Sequence, residues 1–157
     1  MPAPDFPKLY QFEDYVEAAA KSILSEAGLV AVISREDAPA VTPRVEISCV
    51  MGAATEHYGR RAEDGELFLD RWTGSLNFDV ITDRVKNREQ HRPIRAKLRW
   101  LMQDLSFWTI DRLPYHQVIR LIESGTTPEL RNEKEQDVSA LVFSLVLGIR
   151  ADAWPAP

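Results

Sequence analysis

From Phe68 to Thr82 the chain alternates. Phe68, Asp70, Trp72, Gly74, Leu76, Phe78, Val80 and Thr82 share one parity, and the intervening positions from Arg71 to Asp79 are all polar. Successive side chains of a strand point to opposite faces, so the pattern predicts a strand with one face buried. It runs well past the usual strand length of about five or six residues, so the strand must project beyond its own domain or pair with more than one neighbour. Arg44 to Met51 alternates in the same way, with Val45, Ile47, Cys49 and Met51 inward and Glu46 and Ser48 outward. The polar, turn-rich segment from Gly52 to Gly65 separates the two. Together they read as an antiparallel hairpin with an unusually long connection.

Two stretches carry the other period. Between Pro7 and Ala27, Leu9, Phe12, Val16, Ala19, Ala20, Ile23, Leu24 and Ala27 recur at three- and four-residue spacing, which predicts an amphipathic helix stopped by Gly28. Glu13, Asp14 and Glu17 fall on its other side, where negative charge suits the start of a helix. A second helix is predicted from about residue 88 to 105, with Ile94, Leu98, Leu101, Met102 and Leu105 as its stripe. Pro93 is tolerated only in a first turn, so this helix begins near Arg92 or starts with a kink.

The remaining segments are shorter readings. Leu29 to Ser34 predicts a short strand, Arg35 to Thr42 a loop, and Phe107 to Asp111 a connection or short edge strand. Tyr115 to Glu123 predicts a strand and Ser124 to Asp137 a long loop. Val138 to Arg150, apolar on nearly both faces, predicts a strand that is covered on both sides or lies inside a sheet. Residues 151–157 form a tail, whose Trp154 is either pinned to the domain or available to a neighbour. The order predicts a single α+β domain over 1–157, with helix 7–27, three strands and a long hairpin over 29–82, helix 88–105 and two strands over 115–150. Two amphipathic helices then pack on one face of a mostly antiparallel, about five-stranded sheet.

Composition narrows the classes. A net charge of −5 argues against a general nucleic-acid binder, whose footprint is usually basic. The single cysteine, Cys49, excludes an internal disulfide and a multi-cysteine metal site, and its place in the alternation predicts a small buried hydrophobe. The start of the chain lacks the basic and apolar regions of a secretory signal. The longest apolar run, Val138 to Ile149, is shorter than the about 20 residues that a membrane-spanning helix needs.

No motif announces a chemistry. His57, His91 and His116 lie far apart, none with a partner at metal-ligand spacing. No phosphate-binding glycine loop is present. Gly74-Ser75 continues a strand and lacks the flanking pattern of a nucleophile elbow; the glycine marks a bulge or a close backbone approach. No carboxylate pair sits on an apolar face where its pKa would be tuned. No catalytic residue, cofactor or metal site is therefore expected. Two features could serve contact. The connection after the second strand carries His57, Tyr58, Arg60 and Arg61. The segment Arg84 to Arg99 holds Arg84, Lys86, Arg88, Arg92, Arg95, Lys97 and Arg99 against one acid, Glu89. Such a basic face could meet DNA phosphates, a membrane surface or an acidic protein face. Few amide or aromatic side chains accompany the cations as nucleic-acid recognition would ask, and the first helix of the same or another copy would satisfy them. A solvated charged face is the equal alternative.

The layout resembles the tail terminator or tail completion (minor tail, head–tail joining) proteins of tailed bacteriophages and prophages. The resemblance rests on the first helix ending at Gly28, on Thr42-Pro43-Arg44-Val45-Glu46-Ile47 entering a strand, and on the long strand Trp72-Thr73-Gly74-Ser75-Leu76-Asn77-Phe78-Asp79-Val80. The second helix from His91 to Leu105 and two closing strands complete it. It implies a small α+β domain without catalysis or cofactor, whose copies form a ring, commonly a hexamer, between tail tube and head connector. It implies a place in the bacterial host cytoplasm during assembly and then in the virion tail. Candidate self-assembly or docking residues are His57, Tyr58, Arg60, Arg61, Arg71, Arg92, Arg95, Arg99, Glu13 and Glu17. The acidic first helix and basic second helix are expected to be complementary between copies. The alternative is a non-enzymatic adaptor or small-ligand-binding module, which a pocket lined by Trp72 and Trp100 would favour.

Overall fold

The computed structural model describes residues 10–34, 41–57, 68–127, 130–131 and 134–150, with only the backbone of 53–57, 68–70, 87–88 and 131. In chain order the elements are α1 (Phe12–Glu26), β1 (Ala31–Ile33), β2 (Arg44–His57), β3 (Phe68–Asp83), α2 (Arg92–Gln103), β4 (His116–Thr126), β5 (Leu130–Arg131) and β6 (Gln136–Arg150). The fold is α+β. The sheet order is β1-β2-β3-β6-β4, and the two-residue β5 adds to β6 beyond the end of β4. Only β1–β2 is parallel; the other pairings are antiparallel.

The long strand finds two neighbours. β3 pairs with β2 from His57↔Asp70 to Arg44↔Ile81, and on its other side with β6 from Phe68↔Arg150 to Asp83↔Gln136. Its length is therefore used for internal pairing on both edges. β6 is an interior strand, because β3 and β4 flank it. That position explains a sequence apolar on both parities: Leu141, Phe143, Leu145, Leu147 and Ile149 are buried beneath the helices, while Ala140, Val142 and Val146 sit half-buried on the helix-free face.

One core lies between sheet and helices. Val16, Ala20, Ile23 and Leu24 of α1 and Leu98, Leu101 and Met102 of α2 close over Ile47, Leu76, Phe78, Val80 and the buried residues of β6. Both helices take the stripe that their spacing predicts. Gly74 permits the β2–β3 contact to tighten: a Cβ there would stand 2.9 Å from Met51 Cα and closer still to the Val50 carbonyl oxygen. The close-approach reading of this glycine is correct. The other face carries Ser48, Ser75, Asn77, Asp79 and Ser144.

Several boundaries differ from the sequence reading. β2 does not stop at Met51 but continues through Gly52 to His57, with register shifts between Met51 and Ala54 and between Ala54 and Glu56. These irregularities let a strand pass through residues whose composition reads as a turn. The expected long loop over 124–137 is largely strand: β4 reaches Thr126, β5 intervenes and β6 begins at Gln136. Residues there are polar because the strand end is an exposed edge. Leu105–Phe107 is a 3₁₀ turn, so the segment at Phe107 is a connection. The second helix becomes regular only at Arg92, after a 3₁₀ turn (Arg84–Lys86) and a π turn (Asn87–His91), and Pro93 sits in its first turn. The tail with Trp154 lies outside the described residues.

Candidate functional site

α2 presents two different flanks. Its buried stripe fixes the rotation of the helix, and Arg92, Arg95 and Arg99 then share one side, at spacings of three and four. That side meets the edge strand β4. Arg99 grips Glu123 with both Nε and an NH2 group, at 3.0 and 2.9 Å, and Arg95 donates to the Thr126 hydroxyl at 2.9 Å. The Glu123 hydrogen bond is the main cause that holds the Arg99 guanidinium above its usual range. The three arginines wall a shallow hollow of about 280 Å³. The basic face is thus answered in large part by the chain's own β4.

The opposite flank carries Pro93, Lys97 and Trp100. Lys97 donates to the Ala27 carbonyl at the C-terminal end of α1, where the helix dipole favours a cation. Between α2 and the start of β1 and β2 lies a second hollow of about 280 Å³, walled by Leu29, Val30, Pro43, Val45, Pro93 and Ile94, with Arg44, Glu89, Gln90 and Lys97 around them. Large apolar side chains stand in solvent at the hollow and on α2: Val30 is 49% exposed and Trp100 65%. Trp100 touches Phe107 edge-on at 6.1 Å.

Two acidic residues of α1, Glu13 and Glu17, turn toward the sheet, while Asp14 and Glu26 are exposed. Glu17 is buried and accepts the Cys49 N–H at 3.3 Å, and Glu13 accepts the Met51 N–H at the same distance. The reason is the length of β1. It covers β2 only from Val45 to Ile47, so the next outward-facing amides of β2, at Cys49 and Met51, have no strand beside them. Two glutamates one helical turn apart take the place of that strand. Glu13 and Glu17 are therefore not part of an exposed acidic face of α1, and on α2 Arg99 is paired with Glu123 within the chain.

Arg71 is half-buried on β3, opposite Glu56 of β2. His57 ends β2, and only its backbone is described; Tyr58, Arg60 and Arg61 lie outside the described residues. Among the described candidate residues, Arg92, Arg95 and Arg99 come together on α2, and Glu13 and Glu17 come together against β2. Trp72 packs on Phe12 at 5.0 Å, and neither it nor Trp100 walls the hollows beside α2.

Two histidines have packing roles. His91, fully buried, lies 2.9 Å from the Thr82 hydroxyl through Nδ1 and 2.7 Å from the Ser139 hydroxyl through Nε2. The trio resembles a relay, but Ser139 is itself buried and no substrate atom could reach it. His116 is buried among Phe12, Tyr15 and Tyr115. Sequence reasoning missed the hydroxyl partners, since Thr82 and Ser139 are separated by a helix and two strands. It noticed Trp100 without seeing that it falls off the buried stripe. Among the described residues no trio of His, Cys, Asp or Glu could hold a metal ion, and no helix is long and apolar enough to cross a membrane. Compared with known proteins, the chain matches no family model and no curated sequence.

Proposed function

We propose that this chain is a structural assembly protein of the tail terminator or tail completion type, which self-associates into a ring between the tail tube and head connector of a tailed phage or prophage. The observation that carries the reading is exposed apolar surface at α2: Trp100 stands 65% exposed on the helix, and Val30, 49% exposed, walls the hollow against it. Apolar groups exposed at one element suit a contact surface better than a reaction site. The order of helices and strands agrees with what the sequence resemblance implies. Strand addition is a poor route to assembly here. On one side the three-residue β1 is the edge and Glu13 and Glu17 cap β2 beyond it, and on the other β4 is broken by bulges between Val118 and Arg120 and between Glu123 and Gly125. Contacts through helix flanks remain. In this reading the protein is made in the host cytoplasm and ends in the virion tail.

The test is electron microscopy of the purified protein, alone and mixed with tail tubes from the same particle. Rings, or density capping one end of the tubes, are the expected result. Bare tube ends and no rings at any concentration would sink the reading. The hollow beside α2 favours a second reading, a small-ligand-binding module, which a ligand-induced rise in melting temperature across a metabolite panel would support.

A further inference from the structure

We propose that the hollow walled by Arg92, Arg95 and Arg99 binds the phosphate group of a small organic phosphate monoester, whose apolar body lies along β4. The site is on the flank of α2 opposite Pro93 and Lys97. It neither needs nor excludes the ring proposed above.

The hollow gathers one sign of charge. Its walls are Arg92, Arg95, Ala96 and Arg99, so every charged wall is a guanidinium, on a chain whose net charge is −5. The arginines recur at spacings of three and four over about 10 Å of helix, at about 1.5 Å per residue. β4 holds two of them in place. The Thr126 hydroxyl accepts from Arg95 at 2.9 Å, and Glu123 accepts from Nε and one Nη of Arg99 at 3.0 and 2.9 Å. A guanidinium carries five N–H donors in a planar fork, so Arg99 has a second Nη to offer the hollow. Between the arginines, the exposed Ala96 carries only a methyl group and leaves the floor open.

These walls select the ligand. A phosphate monoester carries close to two negative charges and three strong acceptor oxygens, one for each guanidinium. A carboxylate has two oxygens and one charge, and Glu123 already supplies that much to Arg99. Past Arg99 the seam between α2 and β4 continues into a further hollow of about 320 Å³, where Met102, Leu121, Ile122 and Phe143 stand beside Gln103 and Glu123. Arg99 walls both hollows, so a ligand with its phosphate among the arginines reaches the apolar walls with its substituent. Both hollows are near the lower end of the roughly 300–1,000 Å³ of ligand pockets, which suits a compact ester and not a polymer.

Calorimetric titration of the full chain with phenyl phosphate tests this. Saturable one-to-one binding is expected, about tenfold tighter than for inorganic phosphate, because the ring leaves water. Arg92→Gln and Arg95→Gln keep helix-forming side chains and should each weaken binding about tenfold. Ala96→Glu puts a carboxylate in the hollow and should abolish binding with an unchanged far-UV spectrum. Ile122→Ser should bring phenyl phosphate down to the level of inorganic phosphate and leave inorganic phosphate unchanged. No saturable heat with phenyl phosphate, or an affinity untouched by the two glutamine variants, overturns the proposal. So does equal affinity for phenyl and inorganic phosphate. Benzoate binding as tightly as phenyl phosphate overturns it too, and points to carboxylates of an acidic protein face as the occupant. Rings from a chain that binds no phenyl phosphate sink this inference alone, and binding without rings sinks the assembly reading alone.

Discussion

Replacing Glu17 with alanine isolates the device that caps β2 beyond the end of β1. The carboxylate is buried and takes the Cys49 N–H at 3.3 Å, beyond the reach of β1. Without it, a buried amide loses its acceptor, which costs about 1–3 kcal/mol. Removing a buried charge returns some desolvation energy, which offsets part of that loss. A net loss of about 2 kcal/mol is expected, or about 4–8 °C in Tm at roughly 2–4 °C per kcal/mol for a chain of this size. Glu17→Gln keeps a carbonyl oxygen in place and should lose less than half as much. Urea titration followed by circular dichroism measures both, and the slope with denaturant should not change. The reasoning fails if the alanine variant stays within about 0.5 kcal/mol of wild type. It fails also if glutamine is as damaging as alanine, because the charge and not the acceptor would then matter.

Three further outcomes follow from other parts of the fold. Gly74→Ala forces a Cβ to 2.9 Å from Met51 Cα, and because backbone cannot swing aside, thermal melting should show a loss of about 2 kcal/mol or more. Burial, and then the Glu46 carboxylate opposite, hold the Asp79 carboxyl above its usual range. A raised carboxyl contributes stability that is full below its unfolded value of about 3.9 and is lost as pH rises through the higher folded value. Asp79→Asn should therefore be the more stable protein at pH 7, with the gap closing below about pH 4 in urea titrations at a series of pH values. Arg99 and Glu123 form a bidentate but solvent-exposed pair, so a double-mutant cycle with alanine should give a coupling of no more than about 1 kcal/mol, reduced by salt.

The fold was legible wherever a period was sustained. The stripe in α1, the alternation of β3 and the doubly apolar run of β6 each reported a burial pattern that pairing then satisfied. Boundaries were less legible. The end of β2 is polar yet paired, and the end of β4 is polar because it is an edge, so composition there reads as loop. Charge was the least legible property. Glu13 and Glu17 look like the solvent side of a helix, and nothing local says that β1 is too short to cover β2. Arg99 looks like part of a free basic face until β4 brings Glu123 beside it across a connection of twelve residues. Helical periodicity shows which side is apolar; it does not show which polar groups a neighbouring strand will claim.

The buried imidazole of His91 has a consequence for how the molecule opens. It ends the π turn that follows a 3₁₀ turn and precedes a helix start with no side-chain cap, a combination that would ordinarily fray. Yet its two nitrogens reach a hydroxyl on β3 and a hydroxyl on β6, strands that pair along nearly their whole length. Opening the start of α2 therefore means disturbing one end of the β3–β6 ladder, between the two strands at the centre of the sheet order. Amide protons in the first turn of α2 should exchange with solvent on the slow schedule of the β3–β6 ladder, and helix start and ladder should behave as one cooperative unit.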